Sequence, residues 1–121
     1  WKYWENLDEI VSDRKADHDY AIWVRDRIEA DEELKNKSAN DLKEENVTGI
    51  TLEERLLYEL MFFEETGKHL DFQNITLCAG SRDPGGNVPS VDWYGVPRRV
   101  GVAWYGPGHR RDGLRARVAV S

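Results

Sequence analysis

The 121-residue chain contains one cysteine, Cys78, so an internal disulfide and a metal site made of several thiolates are both excluded. No apolar run approaches the roughly 18 residues that a membrane helix needs, and 33% of the residues are charged. The five tryptophans and the 11% of aromatic residues argue against disorder. We therefore expect residues 1–121 to form a single folded domain with no membrane partner.

Signals for export and for metal binding are also missing. The opening residues, Trp1 to Trp4, do not resemble the apolar region of a signal peptide. Together with the single cysteine, this favours a reducing, cytoplasmic location. The three histidines form no His-x-x-x-His pair, so we expect neither a metal nor another cofactor.

Charge is distributed unevenly along the chain. Residues 1–80 hold 10 Lys+Arg and 20 Asp+Glu, a net charge of −10. Residues 81–121 hold 7 Arg, no Lys and 3 Asp, a net charge of +4. An arginine-only basic segment indicates recognition of carboxylate or phosphate. Mutual attraction of the two halves within one fold explains the same pattern.

The first part of the sequence has helical periodicity. Apolar residues at spacings of three and four predict helices over 3–14, about 20–36 and 52–66, with a shorter one over 38–45. The third of these has the clearest boundaries, because Thr51 and Glu54 form a capping-box pattern and Gly67 is a helix terminator. Its wide apolar stripe predicts that it is the core helix.

After residue 72 the pattern alternates, as in strands. Four strands are predicted, separated by segments rich in Gly, Pro, Asn and Asp: Ile75–Arg82, Val88–Tyr94, Arg98–Tyr105 and Leu114–Ser121. Short connections favour an antiparallel order. The predicted fold class is α+β, with N-terminal helices (1–72) packed on one face of a C-terminal four-stranded antiparallel meander (73–121).

The strand pattern predicts one apolar face and one basic, aromatic face. The second face and the glycine-rich loop 106–113 supply our candidate ligand-binding residues, which are Arg82, Tyr94, Arg99, Tyr105, His109, Arg110, Arg111, Arg115 and Arg117. Guanidinium groups bind anions, and tyrosine rings offer a flat stacking surface. No catalytic residue is assigned.

We therefore expect a non-catalytic binding domain whose partner is an acidic protein or a small anionic ligand, and which is able to form homo-oligomers. One alternative is a small enzyme with a pocket at the helix–sheet rim that uses His109 together with Cys78 or Asp112. A second alternative is a single-stranded nucleic-acid-binding module. The acidic charge of residues 1–80 opposes a polyanion, and an ordinary solvated sheet face explains the same residues.

Overall fold

The structure is a computed structural model, and it describes residues 9–15, 17–95 and 98–121. It has an α+β architecture with two α-helices. The elements in chain order are β1 (Val11–Ser12), a 3-10 turn (Glu32–Leu34), α1 (Ala39–Glu44), α2 (Leu52–Thr66), β2 (Ile75–Leu77), β3 (Ser81–Arg82), β4 (Val88–Tyr94), β5 (Arg99–Tyr105) and β6 (Leu114–Ala116).

Both α-helices begin and end where local sequence signals place them. In α2 the Thr51 hydroxyl accepts the N–H of Glu54, and the Glu54 carboxylate accepts the N–H of Thr51. Gly67 ends the helix in the left-handed conformation, at φ 71°. Ser38 caps α1 by a similar box with Asp41. The predicted helices over 52–66 and 38–45 are confirmed.

The predicted helix over 20–36 is wrong. Ile22 and Val24 pack against the core whereas their neighbours are exposed, which is the two-residue alternation of an extended chain. Trp23 forms a β-bridge with Val120 instead of an intrahelical bond. Of the helix predicted over 3–14, residues 3–8 lie outside the described residues. Val11–Ser12 instead form a strand paired with β3.

The sheet is mixed, so the predicted four-stranded antiparallel meander is also wrong. Its strand order is β5-β4-β2-β6, with β6 parallel to β2. The predicted strand over 75–82 divides into β2 and β3, and β3 leaves this sheet to pair with β1. Placing β6 beside β2 brings Leu114 and Ala116 into one buried cluster with Leu77, which stabilises this topology.

The two helices cover opposite faces of the sheet, whereas the sequence predicted helices on one face. The α1 residues Ala39 and Leu42 pack with Leu77 and Val88. A second cluster joins Leu52, at the start of α2, to core residues that include Cys78 and Val91. Because Leu77 pairs with Ser90, it points to the opposite face from Val91.

The apolar stripe of α2 is only partly buried. Leu52 is 2% exposed, but Leu60 is 55% exposed, and Leu57, Met61 and Phe63 are exposed as well. The helix is therefore anchored at its first turns and projects an apolar face into solvent. The prediction that its whole stripe forms the core is wrong.

Candidate binding surface

The predicted basic face does not exist as a single surface. In the hairpin of β4 and β5, Asp92 pairs with Gly101 and Tyr94 with Arg99, so these residues share a face as predicted. In β2, however, Thr76 pairs with Val91 and not with Ser90. Because β6 follows the phase of β2, Arg115 lies on the face opposite to Arg99.

Arg117 is an internal structural residue. Its side chain is 1% exposed, and its Nη2 lies 3.0 Å from Oδ1 of Asp71. It also donates to the carbonyl oxygens of Arg27 and Ile28. Its predicted exposure is wrong, because the buried Asp71 carboxylate holds it inside the fold.

Asp71 binds a second buried arginine. The Oδ2 of Asp71 lies 3.0 Å from Nη2 of the fully buried Arg55. The same Oδ2 accepts a hydrogen bond from the Thr76 hydroxyl. The Arg117 guanidinium in turn lies over the ring of Tyr58. Two guanidinium groups therefore share one carboxylate beneath α2, and both are satisfied by protein partners.

Three more candidate arginines have partners within the chain. Arg82 donates to the carbonyl oxygens of Ala79 and Ser81, and burial lowers its pKa. Arg115 donates to the carbonyl oxygen of Ala30, just before the 3-10 turn. Arg110 lies 3.5 Å from a carboxylate oxygen of Asp41. Each of the three side chains therefore has a partner within the chain, although the buried Nε of Arg115 has no hydrogen-bond partner among the described residues.

The remaining candidates, together with Asp92, lie on one face of the β4–β5 hairpin and on the loop that follows it. We call this surface the Tyr/Arg strip. It consists of Asp92, Tyr94, Arg99, Tyr105, His109 and Arg111.

One end of the Tyr/Arg strip is a stack of three side chains. The rings of Tyr105 and His109 lie 4.7 Å apart at an interplanar angle of 6°. The Arg111 guanidinium lies over the Tyr105 ring and donates to the Tyr105 hydroxyl at 3.2 Å. The loop thus presents the Arg111 cation against an aromatic ring, and this contact reduces the side-chain entropy lost when a ligand binds.

At the other end, Tyr94 lies across the neighbouring strand. A Cβ on Gly101 would overlap the Tyr94 ring, so the ring occupies the space that a side chain there would take. The Arg99 guanidinium lies over this ring, 5.9 Å from its centroid. The charge of Asp92, followed by burial, raises the pKa of Tyr94, and the charges of Arg99 and Arg111 oppose the rise. The Tyr94 hydroxyl is therefore in the field of both ends of the strip.

Asp92 is the single carboxylate of the strip. Burial and then the charge of Asp71 raise the pKa of Asp92 to about 6, while Arg55 and Arg111 oppose the rise. Below that pH the strip carries no negative charge to offset its guanidinium groups.

A groove lies on the other side of the sheet, between α2 and the start of β5. Its apolar lining residues are Leu56, Leu60, Phe63 and Val100, and its polar ones are Glu59, His69 and Arg99. Its volume of about 470 Å³ falls in the range of small-ligand pockets.

The polar wall of this groove is His69. The imidazole is stacked between the rings of Trp93, at 3.5 Å, and Phe63, at 4.7 Å. Its Nδ1 lies 2.7 Å from Oε1 of Glu59, and Glu59 in turn binds Arg55. No local sequence signal indicates this pair, because ten residues separate Glu59 and His69.

The predicted catalytic grouping is not formed. Cys78 is fully buried, and this burial raises the pKa of its thiol to about 12, so it is not a nucleophile at neutral pH. His109 stacks on Tyr105 and makes no hydrogen bond with Cys78 or Asp112 among the described residues. The groove between α2 and β5 is lined by His69 and not by His109.

Over residues 9–15, 17–95 and 98–121, no group of three or more His, Cys, Asp or Glu side chains could hold a metal ion. None of the helices in the same residues has the length and hydrophobicity to span a bilayer. Comparisons with protein-family models, with curated proteins and with solved structures find no match.

Proposed function

We propose that this protein is a binding module for an anionic group, presented by an acidic protein or a small molecule, and that the Tyr/Arg strip is its binding surface. One observation carries the proposal. Arg99 and Arg111 each lie over a tyrosine ring, and neither forms an ion pair within the described part of the chain.

Other arginines provide the contrast. Arg14, Arg55 and Arg117 all lie within 3.2 Å of a carboxylate oxygen. In a chain with a net charge of −6, Arg99 and Arg111 form no ion pair among the described residues, although the charge of Arg111 acts on Asp92. Arg99 and Arg111 lie over tyrosine rings and keep donors free for the forked hydrogen bonds that carboxylate and phosphate accept.

The test is an NMR titration of the ¹⁵N-labelled protein with a hexaglutamate peptide, with inorganic phosphate, and with a single-stranded oligonucleotide. We expect saturable shifts at Tyr94, Gly101 and Tyr105 with the peptide or with phosphate. Arg111→Ala should weaken binding by about 10-fold or more, the value of one hydrogen bond to a charged group.

The control is Arg27→Ala, which removes the same charge from an exposed side chain that is paired with Glu33. An equal loss of affinity in both variants, or shifts that do not saturate, would reject the strip as the site. Tighter binding of the oligonucleotide, with a steep dependence on salt, would favour the nucleic-acid alternative.

A further inference from the structure

The β5 strand occupies one edge of the sheet. Its only strand partner among the described residues is β4, so the outward N–H and C=O groups of Arg99–Tyr105 have no backbone partner there. The pairing with β4 is continuous over seven residues without a bulge. Between Arg99 and Tyr105 the strand contains no charged residue and no proline.

Such an edge is a template for adding another strand. Proteins that avoid this pairing use short edge strands, inward charges, prolines or bulges, and β5 has none of these between Val100 and Trp104. The exposed apolar face of α2 lies beside the same edge, because Leu60 and Val100 line one groove. Edge and groove together form one interaction surface.

We propose that this surface binds a second copy of the chain, with the two β5 strands paired antiparallel around Val102. This register is the one that overlaps all seven residues under two-fold symmetry. It places Arg99 opposite Tyr105 of the second copy and Val100 opposite Trp104 of the second copy.

The sequence of β5 complements itself in this register. Val100 and Trp104 share the α2 face of the sheet, since they pair with Trp93 and Pro89 of β4. Residues opposite each other in an antiparallel pair share a face, so Trp104 of the second copy faces the groove lined by Leu60 and Phe63. Trp104 belongs to neither core cluster and is partly exposed, so its indole is available for that contact.

The charges also fit two-fold symmetry. On the opposite face, the Arg99 guanidinium meets the ring of Tyr105 of the second copy, a cation–π pair. The two Arg99 side chains are about 20 Å apart, because six residues of extended strand separate them. No like charges therefore meet along the paired strands, and the sheet becomes continuous with eight strands.

Sedimentation velocity over about 1 µM to about 1 mM protein, without any ligand, tests the dimer. We expect a reversible monomer–dimer equilibrium. Leu60→Glu should raise its dissociation constant by about 30-fold or more, the effect of losing one interface hot spot. Val120→Glu is the matched control, because Val120 has the same exposure, 55%, and continues from β6 at the opposite edge.

Circular dichroism establishes that both variants are folded, and Trp104→Ala provides a second disruption of the same contact. Hydrogen exchange supplies an independent readout, since outward amides of β5 should be protected at high concentration and lose protection on dilution. A wild-type monomer at about 1 mM would overturn the proposal. So would open-ended aggregation, or a dimer that Leu60→Glu and Val120→Glu affect equally. Arg99 and Tyr105 belong to both surfaces, but no anion is added here, so a failed dimer test leaves the NMR titration of the strip to decide ligand binding on its own.

Discussion

The ring of Tyr94 lies in the space that a side chain at Gly101 would fill, on the adjacent strand of the same hairpin. This contact places the tyrosine ring over the adjacent strand and puts its hydroxyl in the field of Arg99 and Arg111. An alanine at position 101 would force the ring away. The glycine is therefore needed for the shape of the Tyr/Arg strip more than for the fold.

For Gly101→Ala we expect the free energy of unfolding to change by less than about 1 kcal/mol, because the Tyr94 ring is exposed and free to turn into solvent. Affinity for the hexaglutamate peptide should fall, because the support beneath Arg99 is lost. Denaturant titration and the Tyr94 ring contacts in NMR spectra check the two effects. A loss of several kcal/mol would mean that the ring cannot move.

The buried cluster predicts a large difference between two arginines. Arg117→Met should destabilise the protein by about 3–5 kcal/mol, because it breaks a buried ion pair and leaves the carbonyls of Arg27 and Ile28 without their donor. Arg27→Met removes an exposed pair with Glu33 and a longer, 3.9 Å contact with Asp31, whose carboxylate keeps its 2.9 Å bond to Arg25, so it should cost less than about 1 kcal/mol. Equal losses in denaturant melts would contradict the structural role of Arg117.

Asp92 makes stability depend on pH. Its folded-state pKa of about 6 exceeds the ordinary value of 3.8, so the folded protein holds this proton more tightly than the unfolded chain does. The contribution of Asp92 to the free energy of unfolding is fully present below pH 3.8 and is lost as the pH rises through about 6.

We expect Asp92→Asn to be more stable than the wild type at pH 7, because it carries no charge to bury. The difference between the two proteins should shrink as the pH falls toward 4. Urea denaturation of both proteins across this range measures it. A constant difference between pH 4 and 7 would show that Asp92 titrates normally.

Two leucines of α2 should differ strongly. Leu52→Ala removes a side chain that is 2% exposed and should cost about 2–5 kcal/mol. Leu60→Ala removes one that is 55% exposed and should cost less than about 1 kcal/mol in the monomer. Denaturant melts at low protein concentration compare them, and similar losses would place Leu60 in the core.

Features encoded by neighbouring residues were predictable. The capping box of Thr51 and Glu54 fixes the start of α2 within four residues of sequence, so the bounds of that helix agree with the prediction. The mutual phase of β4 and β5 also follows from their short hairpin. For that reason, the residues of the Tyr/Arg strip come from this hairpin and the adjoining loop.

Features that depend on distant partners were not predictable from the sequence. Nothing near Arg117 in sequence indicates Asp71, which lies 46 residues away and turns the side chain inward. The phase of β2 and β6 relative to β4 depends on which residue Thr76 pairs with, and a slip by one residue reverses every side chain. In the segment around Trp23, the bridge to Val120 prevails over helical spacing.

The bonds from Arg117 to the carbonyls of Arg27 and Ile28 also bear on folding kinetics. They join residues 90 and 89 positions apart, so the chain must close a very large loop before they form. The irregular segment that contains Arg27 and Ile28 is therefore expected to dock after the folding transition state. In stopped-flow experiments, Arg117→Met should accelerate unfolding and leave the refolding rate nearly unchanged.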